Sequence, residues 1–455
     1  MGSQRHNPLL SRRAFLGAAG AATVAGAGIY FLPRSGGQPA GPGATASTLR
    51  KCLSMGPLDT PENDDQDLRR SGNVDLLTST RSRWVKVWAR WDQIQPLPPS
   101  SVAFDRLDDP EANPGQPFLA ALDAQVRVAR SLDPPVGVIV CLWRFPGWSN
   151  GTGELADGED GDLDLFPQDR LKRASFEAGD PKASIKPLAY RVPAREVLLP
   201  GGAWGRWVDF LYRRYMRHGE AVALELANEP NIQWWPQREP SGGDDPFQQG
   251  ELASARSAAV MMATAQEIAE RNGERMLIAG PGTWDGPKGD PSVIGDSRLY
   301  TDYATFTEAL LDELEALGFS AGPQFVWTQH NYNDTIYRHG VAGAPRNRAA
   351  HARELLVGRW DGYGGAGSPE VWLTEGGADL RAKLVAGDRS KQADLVRENW
   401  DRMADARGDG AGIGMVTNYL GYSAPNFDTG LRDPLDAGGA SRPVEATWRR
   451  LRSRP

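Results

Sequence analysis

The chain has 455 residues, of which 40% are hydrophobic and 24% are charged. This is the composition of an ordinary globular protein, and it excludes a disordered or collagen-like chain. The formal net charge is −7, whereas a nucleic-acid-binding protein usually has a basic surface, so no nucleic-acid partner is expected.

The N-terminus has the pattern of a bacterial export signal. Arg12 and Arg13 stand just before an apolar, Ala/Gly-rich run over residues 17–32, which is the twin-arginine pattern, and Ala44-Thr45-Ala46 offers a cleavage site. An uncleaved anchor is the alternative, but the run is short for the ~20 apolar residues of a membrane span. We predict a signal and spacer over residues 1–46 and one domain over 47–455. The protein would be secreted, periplasmic or cell-wall associated, without a stable membrane partner.

Beyond the signal, strand-like and helix-like segments alternate regularly. Strands are predicted over residues 51–55, 84–89, 136–143, 221–227, 275–279, 324–329, 370–374 and 413–418. Helices are predicted over residues 67–78, 118–132, 204–216, 251–272, 303–317, 346–360, 391–407 and 444–452. Several strands are almost wholly apolar, as expected for parallel strands that are buried on both faces.

Eight strand-then-helix units in this order predict a single (β/α)₈ TIM barrel of the α/β class. A doubly wound open sheet is the alternative. Long loops follow strands three, four, five and eight, over residues 144–203, 231–250, 281–302 and 420–443. In a barrel these loops gather on one face, which is where active sites lie.

The cysteine and histidine content limits the cofactor chemistry. Cys52 and Cys141 cannot form a disulfide framework or a cysteine metal cluster. Both are interpreted as buried free thiols, with one bridge between them as the alternative. Five scattered histidines without a zinc motif indicate no catalytic metal, and no cofactor is predicted.

Three motif matches lack the structural setting that they need. Residues 147–151 match G-x-S-x-G, but an acidic, Gly-rich stretch follows them. Residues 362–367 match a dinucleotide fingerprint, but they follow a helix and precede a strand. Residues 157–164 resemble a calcium loop without its central glycine and closing glutamate, so a solvated acidic loop is predicted, with a structural Ca²⁺ as the alternative.

Candidate site residues follow from the strand ends, which point into the functional face of a barrel. Glu229 follows strand four and Glu375 follows strand seven, so two carboxylates should meet across the barrel mouth. Glycoside cleavage needs such a pair, one to protonate the leaving oxygen and one to attack the anomeric carbon. The tryptophans of the long loops either stack on sugar rings or pack those loops down. The further candidates for substrate binding are Lys86, Arg90, Trp143, Arg144, Asn228, Trp235, Trp284, His330, Tyr332 and Tyr419.

Short motifs at these strand ends resemble clan A of the retaining glycoside hydrolases. The Asn-Glu-Pro-Asn ending is similar to family thirty-nine, and His-x-Tyr is similar to family five, the cellulase and mannanase group. Residues 84–96 also resemble strand two of that clan. The motifs are Asn228-Glu229-Pro230-Asn231, His330-x-Tyr332 and Thr374-Glu375-Gly376.

The resemblance implies a role for each matching residue. Glu229 would be the acid/base and Glu375 the nucleophile, with their carboxyl groups ~5 Å apart and retention of anomeric configuration. Asn228 would bind the 2-hydroxyl of the sugar. Tyr332 would donate a hydrogen bond to Glu375, and His330 would line the same subsite.

One departure from the family concerns the support of the nucleophile. The family usually has arginine where Lys86 stands on strand two, and that arginine helps to hold the nucleophile. Lysine is a point charge rather than a planar fork, so this support is altered. Arg90, further along the same strand, is a candidate to compensate.

Two other departures concern the sugar-binding walls. The tryptophan that often floors the sugar site on strand eight is absent, and Tyr419 or Tyr422 would substitute for it. Strand three ends in Trp143-Arg144 instead of the histidine common in family five. The inner subsite should therefore differ from that of a cellulase.

Strand four contains a second carboxylate and a geometric problem. Glu225 lies four residues before Glu229, ~13 Å deeper at ~3.3 Å per residue, so it is predicted to be a buried partner of Lys86 or of an arginine. Asn228 and Glu229 cannot both face the pocket in a regular strand, because successive side chains alternate. A twist or bulge is therefore predicted at the strand end, with Pro230 ending the pairing.

Together these features predict a retaining glycoside hydrolase that cleaves O-glycosidic bonds of an extracellular poly- or oligosaccharide by double displacement. A transglycosylase with the same two glutamates is one alternative. A non-catalytic carbohydrate-binding barrel is the other.

Overall fold

The computed structural model describes residues 49–62, 65–149, 195–232, 235, 253–286, 301–337, 347–360, 369–405, 412–424 and 427–452. Within these residues eight strands pair in parallel, each with the next along the chain, and β8 closes on β1. The closed barrel confirms the predicted (β/α)₈ fold over the open-sheet alternative. The strands are β1 (Arg50–Ser54), β2 (Trp84–Arg90), β3 (Gly137–Trp143), β4 (Val222–Glu225), β5 (Leu277–Thr283), β6 (Phe325–His330), β7 (Val371–Glu375) and β8 (Ile413–Tyr419).

One long helix follows each strand and packs outside the barrel. These helices are α1 (Ser71–Ser79), α2 (Gln116–Ser131), α3 (Ala203–Tyr215), α4 (Ala253–Arg271), α5 (Tyr303–Ala316), α6 (Arg348–Trp360), α7 (Arg389–Met403) and α8 (Pro443–Arg450). Each helix and strand overlaps its predicted counterpart. The ends differ by a few residues, since they depend on local hydrogen bonds that apolar patterning does not encode.

The connections after the strands differ from the prediction in one place. Besides the four predicted long loops, residues 91–115 after β2 form another long connection, with a helical turn at Trp91–Ile94 and a 3₁₀ turn at Phe104–Arg106. Its Trp91 is buried and stacks on Trp207 of α3 with ring centroids 5.9 Å apart. The apolar residues of this connection therefore anchor it to the helical layer.

The barrel interior is filled in layers, because alternate residues of a strand point inward. One apolar layer takes a residue from every strand, and these residues are Cys52, Trp84, Ile139, Ala223, Ala279, Val326, Trp372 and Met415. Two residues further along each strand the sequence turns mostly polar. That second layer includes Ser54, Lys86, Cys141, Glu225, Thr328, Thr374 and Thr417, all of them buried. The functional face begins above it.

The predictions about the export signal, the cysteines and the three motif matches fall partly outside the described residues. The signal over 1–46 and the stretches 157–164 and 362–367 lie outside. Cys52 and Cys141 are both free and buried, as predicted. The G-x-S-x-G match forms a 3₁₀ turn at Gly147–Ser149, where the Ser149 hydroxyl donates to the Pro146 carbonyl oxygen, so it forms no strand-to-helix elbow. In the described part of the chain, no helix has both the length and the apolarity to cross a membrane.

A buried carboxylate network joins the connections after β5 and β6. Asp285 accepts hydrogen bonds from the Asn333 side-chain amide and the Asp334 backbone N–H, both at 3.0 Å. Asp334 in turn accepts from the backbone N–H groups of Arg348 and Ala349 at the start of α6. Burial, together with the nearby charge of Asp334, raises the pKa of Asp285 from 3.8 to about 6.

The raised pKa of Asp285 makes stability depend on pH. Because the folded protein binds this proton more tightly than the unfolded chain, the free energy of unfolding falls as pH rises from about 4 to about 6. A shift of this size corresponds to about 3 kcal/mol. We expect Asp285→Asn to lack this fall, so that its stability relative to the wild type improves as pH increases. Denaturant unfolding between pH 4 and 7 measures it, with exposed Asp75→Asn as the control, and parallel curves for Asp285→Asn and wild type would contradict it.

Candidate active site

Glu375 reaches the barrel interior through an irregularity in β7. The pairing of β6 with β7 passes from Gln329–Leu373 to His330–Glu375 and skips Thr374, which is a β-bulge. A bulge re-aims the next side chain. Thr374 and Glu375 can therefore both contact interior partners, although neighbouring residues of a regular strand would face opposite sides.

Glu229 lies beyond the regular part of β4, which ends at Glu225. Its backbone has a φ of +49°, in the left-handed region that a non-glycine residue rarely adopts. Its N–H donates to the Gly282 carbonyl oxygen at 3.0 Å. Gly282 itself has a φ of +67°, and a Cβ there would lie 2.5 Å from the Ala227 carbonyl oxygen, so only glycine fits. The predicted twist or bulge at the strand end therefore takes the form of a turn with a left-handed backbone at Glu229.

Asn231 fixes this turn to the connection after β5. Its side-chain amide donates to the carbonyl oxygens of Trp284 at 2.9 Å and Thr301 at 3.0 Å, while its carbonyl oxygen accepts from the Trp284 N–H at 2.9 Å. Asn231 is wholly buried. The backbone of Trp284 thus lies beside the site. Its half-buried ring packs against a buried cluster at the barrel mouth, which consists of Trp88, Cys141, Tyr332, Tyr419 and Leu420.

The two glutamates meet at His330. The Nδ1 atom of His330 lies 3.0 Å from Glu229 Oε1 and 3.7 Å from Glu375 Oε2. One carboxylate oxygen of each glutamate and one ring nitrogen of His330 all lie within 4.8 Å of one another. Burial lowers the pKa of His330, but the carboxylates of Glu375 and Glu229 outweigh this effect and raise it above its ordinary value.

Two donors hold the Glu375 carboxylate. The Tyr332 hydroxyl donates to Oε2 and the Lys86 ammonium donates to Oε1, both at 2.8 Å. Burial and the nearby Glu375 charge raise the pKa of Tyr332 well above its ordinary value, so the hydroxyl keeps its proton. Each oxygen of the buried carboxylate therefore has its own donor.

Lys86 also contacts Glu225, the deeper carboxylate of β4. Its Nζ atom lies 2.7 Å from Glu225 Oε2, and both side chains are wholly buried. Burial opposes charge on each group, yet their attraction prevails: the pKa of Lys86 is raised well above its ordinary value and that of Glu225 is lowered. Thr374 donates to the other oxygen of Glu225. The prediction that Glu225 is a buried partner of Lys86 is confirmed.

The same three side chains could in principle offer ligands to a metal ion. Glu229, His330 and Glu375 supply two carboxylate oxygens and one imidazole nitrogen at a suitable spacing. However, a cation on Glu375 would face the Lys86 ammonium, which lies 2.8 Å from the same carboxylate. This donor set is better suited to proton transfer and nucleophilic attack than to holding a metal.

Asn228 carries a buried acceptor without a protein partner. Its side-chain Oδ1 is shielded and makes no hydrogen bond within the protein, which is unfavourable unless a ligand or water satisfies it. Its backbone carbonyl oxygen accepts from the Trp235 indole N–H at 3.2 Å. Trp235 is buried and packs edge-on against Phe145, so its position supports Asn228 from behind. A direct sugar contact for Trp235 stays a prediction.

Arg90 does not take over the role that the family gives to its strand-two arginine. Its guanidinium pairs with Asp92, with Nη2 2.8 Å from Oδ2, and more distantly with Asp59. The suggestion that Arg90 compensates for Lys86 is therefore wrong, because Arg90 points to carboxylates of the connections after β1 and β2. Arg144, which has a φ of +59°, lies near the same Asp92, and its guanidinium carbon is 4.5 Å from the ring centre of Trp143.

The wall at β8 contains an aromatic residue that the sequence reasoning missed. Tyr419 is buried with its ring edge-on to Tyr332 at 6.1 Å, whereas the Tyr422 hydroxyl accepts from Arg432. Of the two tyrosines, Tyr419 therefore lies at the site. Phe427, 42% exposed, packs against both Tyr332 at 6.0 Å and Tyr419 at 5.3 Å. Nothing in the loop sequence separates this phenylalanine from an ordinary packing residue.

Trp88 was also missed, although the sequence contains its signal. Lys86, Trp88 and Arg90 alternate along β2 and share its inward face. The Trp88 indole donates to the Met55 carbonyl oxygen, its ring lies 4.6 Å from the Lys86 ammonium, and it meets Trp143 edge-on at 5.3 Å. Trp88 therefore joins Lys86, which holds Glu375, to the wall at β3.

No protein-family model matches this chain, and no curated protein matches its sequence. Solved structures with a similar fold include the cellulose synthase subunit Z from Clostridioides difficile, with 12% identity, 88% of this chain and 99% of that chain covered, and a TM-score of 0.44. A second is a family 39 beta-xylosidase from Caulobacter crescentus, with 14% identity and a TM-score of 0.49. The match covers 90% of this chain and 72% of that chain. A third is a family 5 xyloglucanase from Paenibacillus pabuli, with 8% identity and a TM-score of 0.43. The match covers 89% of this chain and 98% of that chain. At these identities the similarity describes the fold.

The position of Phe427 leads to a binding test. An exposed aromatic face beside Tyr332 can stack on a sugar ring. Two packed aromatic rings gain about 0.5–1.5 kcal/mol, and we take a contribution of that order for this contact. We expect Phe427→Ala to raise KM for a cleaved glycoside roughly threefold to tenfold, with kcat nearly unchanged. Val357→Ala, which removes an equally exposed apolar side chain on α6, is the control. Equal KM values for Phe427→Ala and wild type would exclude Phe427 from the sugar site.

Proposed function

We propose that this protein is a retaining glycoside hydrolase in which Glu229 is the acid/base and Glu375 the nucleophile. The observation that carries the proposal is the approach of their carboxylate oxygens to within 4.8 Å. Retaining enzymes hold the two carboxyl groups about 5–5.5 Å apart, while inverting enzymes need about 6.5–9.5 Å to admit a water molecule between carboxylate and sugar.

The surroundings of the two glutamates support this division of roles. Glu375 is 4% exposed and receives a hydrogen bond on each oxygen, from Lys86 and from Tyr332, which hold it in one position for attack. The Glu229 side chain is 14% exposed at the barrel mouth, where a leaving group or water can reach it. His330 contacts Glu229 and lies near Glu375, so it can orient the acid relative to the nucleophile.

Asn228 supports a sugar ligand beside these glutamates. Its unsatisfied, buried Oδ1 would accept a hydrogen bond from a sugar hydroxyl next to the reacting carbon. Such a bond would strengthen as charge develops on the sugar ring in the transition state.

The reaction would proceed in two balanced steps. First, a Glu375 oxygen forms a bond to the anomeric carbon while the glycosidic C–O bond breaks and Glu229 gives its proton to the departing oxygen. Second, a water oxygen bonds to the anomeric carbon while the ester bond to Glu375 breaks and Glu229 takes the proton of that water. The substrate would be an extracellular poly- or oligosaccharide.

Substitution of each glutamate tests the roles separately. The panel is a set of oligosaccharides and aryl glycosides, from which a substrate that wild type cleaves is chosen. We expect Glu375→Gln to lose activity on every substrate, because no nucleophile remains. Glu229→Gln should lose about 10²–10⁴-fold on oligosaccharides but less on aryl glycosides, whose leaving groups need no proton. Added azide, which needs no base, should restore turnover of the aryl glycosides by Glu229→Gln.

A neutral substitution of an exposed glutamate is the control. Glu308→Gln, at an exposed position of α5, should match the wild type. NMR of the first-formed product should give the same anomer as the substrate. Activity surviving in both glutamate variants, or an inverted anomer, would overturn the mechanism. Binding of glycans without turnover by the wild type would leave the non-catalytic barrel as the function, and sugar transfer in place of hydrolysis would indicate a transglycosylase.

The proposal extends to export through the twin-arginine pathway, on the pattern around Arg12 and Arg13. We expect replacement of both arginines by lysine to retain the protein in the cytoplasm of a bacterial host with that pathway. Cell fractionation and immunoblotting measure the distribution. Arg34→Lys, beyond the apolar run, is the matched control, and unchanged export of the double variant would contradict the prediction.

A further inference from the structure

Lys86 is shared between two buried carboxylates, of which only one takes part in the proposed reaction. Its ammonium lies 2.8 Å from Glu375 Oε1 and 2.7 Å from Glu225 Oε2. Lys86 and Glu225 are wholly buried, so water cannot screen either charge. Glu225 lies in the second layer, just below the site, where it accepts a hydrogen bond from Thr374 of the same layer.

The charge on Glu375 changes during the proposed reaction, while that on Glu225 does not. Glu375 is an anion before attack, a neutral ester in the covalent intermediate, and an anion again after hydrolysis. A buried ammonium that loses its counter-charge is strongly unfavourable. Because Glu225 stays ionised, Lys86 keeps a partner while Glu375 is esterified.

The same sharing affects how Glu375 reacts. A cation bound tightly to a carboxylate withdraws electron density from it, which slows its attack on carbon and assists its departure as a leaving group. With Glu225 present, Lys86 divides its attraction between two anions. Without Glu225, the whole attraction would fall on Glu375.

We propose that Glu225 is a positioning residue that acts through Lys86 to set the balance between attack and departure of Glu375. This inference rests on the proposed retaining mechanism. Glu225 favours formation of the covalent intermediate because it neutralises Lys86 when Glu375 becomes an ester. Its loss would slow the first step and speed the second.

The test measures the two steps separately in the full-length protein. The first step is followed by kcat/KM for an aryl glycoside that wild type cleaves. The second is followed by reactivation of enzyme trapped with the matching 2-fluoro glycoside. In Glu225→Gln we expect kcat/KM to fall about tenfold or more and reactivation to speed up about threefold or more, which corresponds to modest opposite changes in the two barriers.

Two further variants separate this effect from a structural one. Thr374→Val removes the hydroxyl that bonds Glu225 but leaves every charge in place, so both steps should change in the same direction, if at all. Glu225→Asp keeps the charge on a shorter side chain and should change the two steps as Glu225→Gln does, by smaller factors. It also keeps the inference testable if Glu225→Gln does not fold, which thermal unfolding of each variant detects.

The outcomes distinguish this inference from the proposed function. If Glu225→Gln, or Glu225→Asp in its place, slows both steps together or changes neither, Glu225 is a structural residue and the inference is overturned while the retaining mechanism stands. If the wild type cleaves no glycoside and is not labelled by any 2-fluoro glycoside, the proposed function itself fails.

Discussion

The buried ammonium of Lys86, held between the carboxylates of Glu225 and Glu375, is the interaction on which the rest of the site depends. It joins β2, β4 and β7, three strands that are distant along the chain and meet only because the barrel closes. A buried lysine is tolerated only where counter-charges surround it. The apolar layer below and the aromatic rings of Trp88 and Tyr332 above exclude water from this group. The packing that stabilises the barrel thus also strengthens the attraction between Lys86 and its two carboxylates, because it keeps water away from them.

Both glutamates of the site lie where the sheet departs from regular pairing. Glu375 follows a bulge at Thr374, and Glu229 has a left-handed backbone beyond the end of β4. A regular strand would send one of each adjacent pair of side chains away from the mouth. The left-handed backbone of Glu229 is unfavourable in isolation, and it is held by the Gly282 carbonyl and by the Asn231 side chain. Such departures commonly occur at functional sites that the surrounding structure over-determines.

The sequence was sufficient to predict the barrel because eight apolar segments and eight amphipathic segments alternate, and each signal is local. It also limited the partner of Glu225 to Lys86 or an arginine, because a carboxylate deep in a strand needs a cation, and the structure shows that the partner is Lys86. It did not predict that Arg90 turns to Asp92, since that choice depends on the folded path of the connection after β2. It likewise could not place Trp235 behind Asn228 or Phe427 at the mouth, because loop aromatics look alike until their neighbours are known. The bulge at Thr374 depends on register, which apolar patterning does not encode.

The two halves of the site are built on different kinds of support. Glu375 is attached to the barrel, through Lys86 and the second layer of side chains. Glu229 is attached to the end of β5 through the Gly282 carbonyl oxygen, and to the connection that follows through the bonds of Asn231 to Trp284 and Thr301. Connections of this kind accept insertions and exchanges far more readily than strands do. A graft or length change after β5 would therefore adjust the reach of Glu229, the proposed acid/base, while Glu375, the proposed nucleophile, stays fixed. Under the proposed function, this gives the barrel a route to differently shaped leaving groups without altering either glutamate.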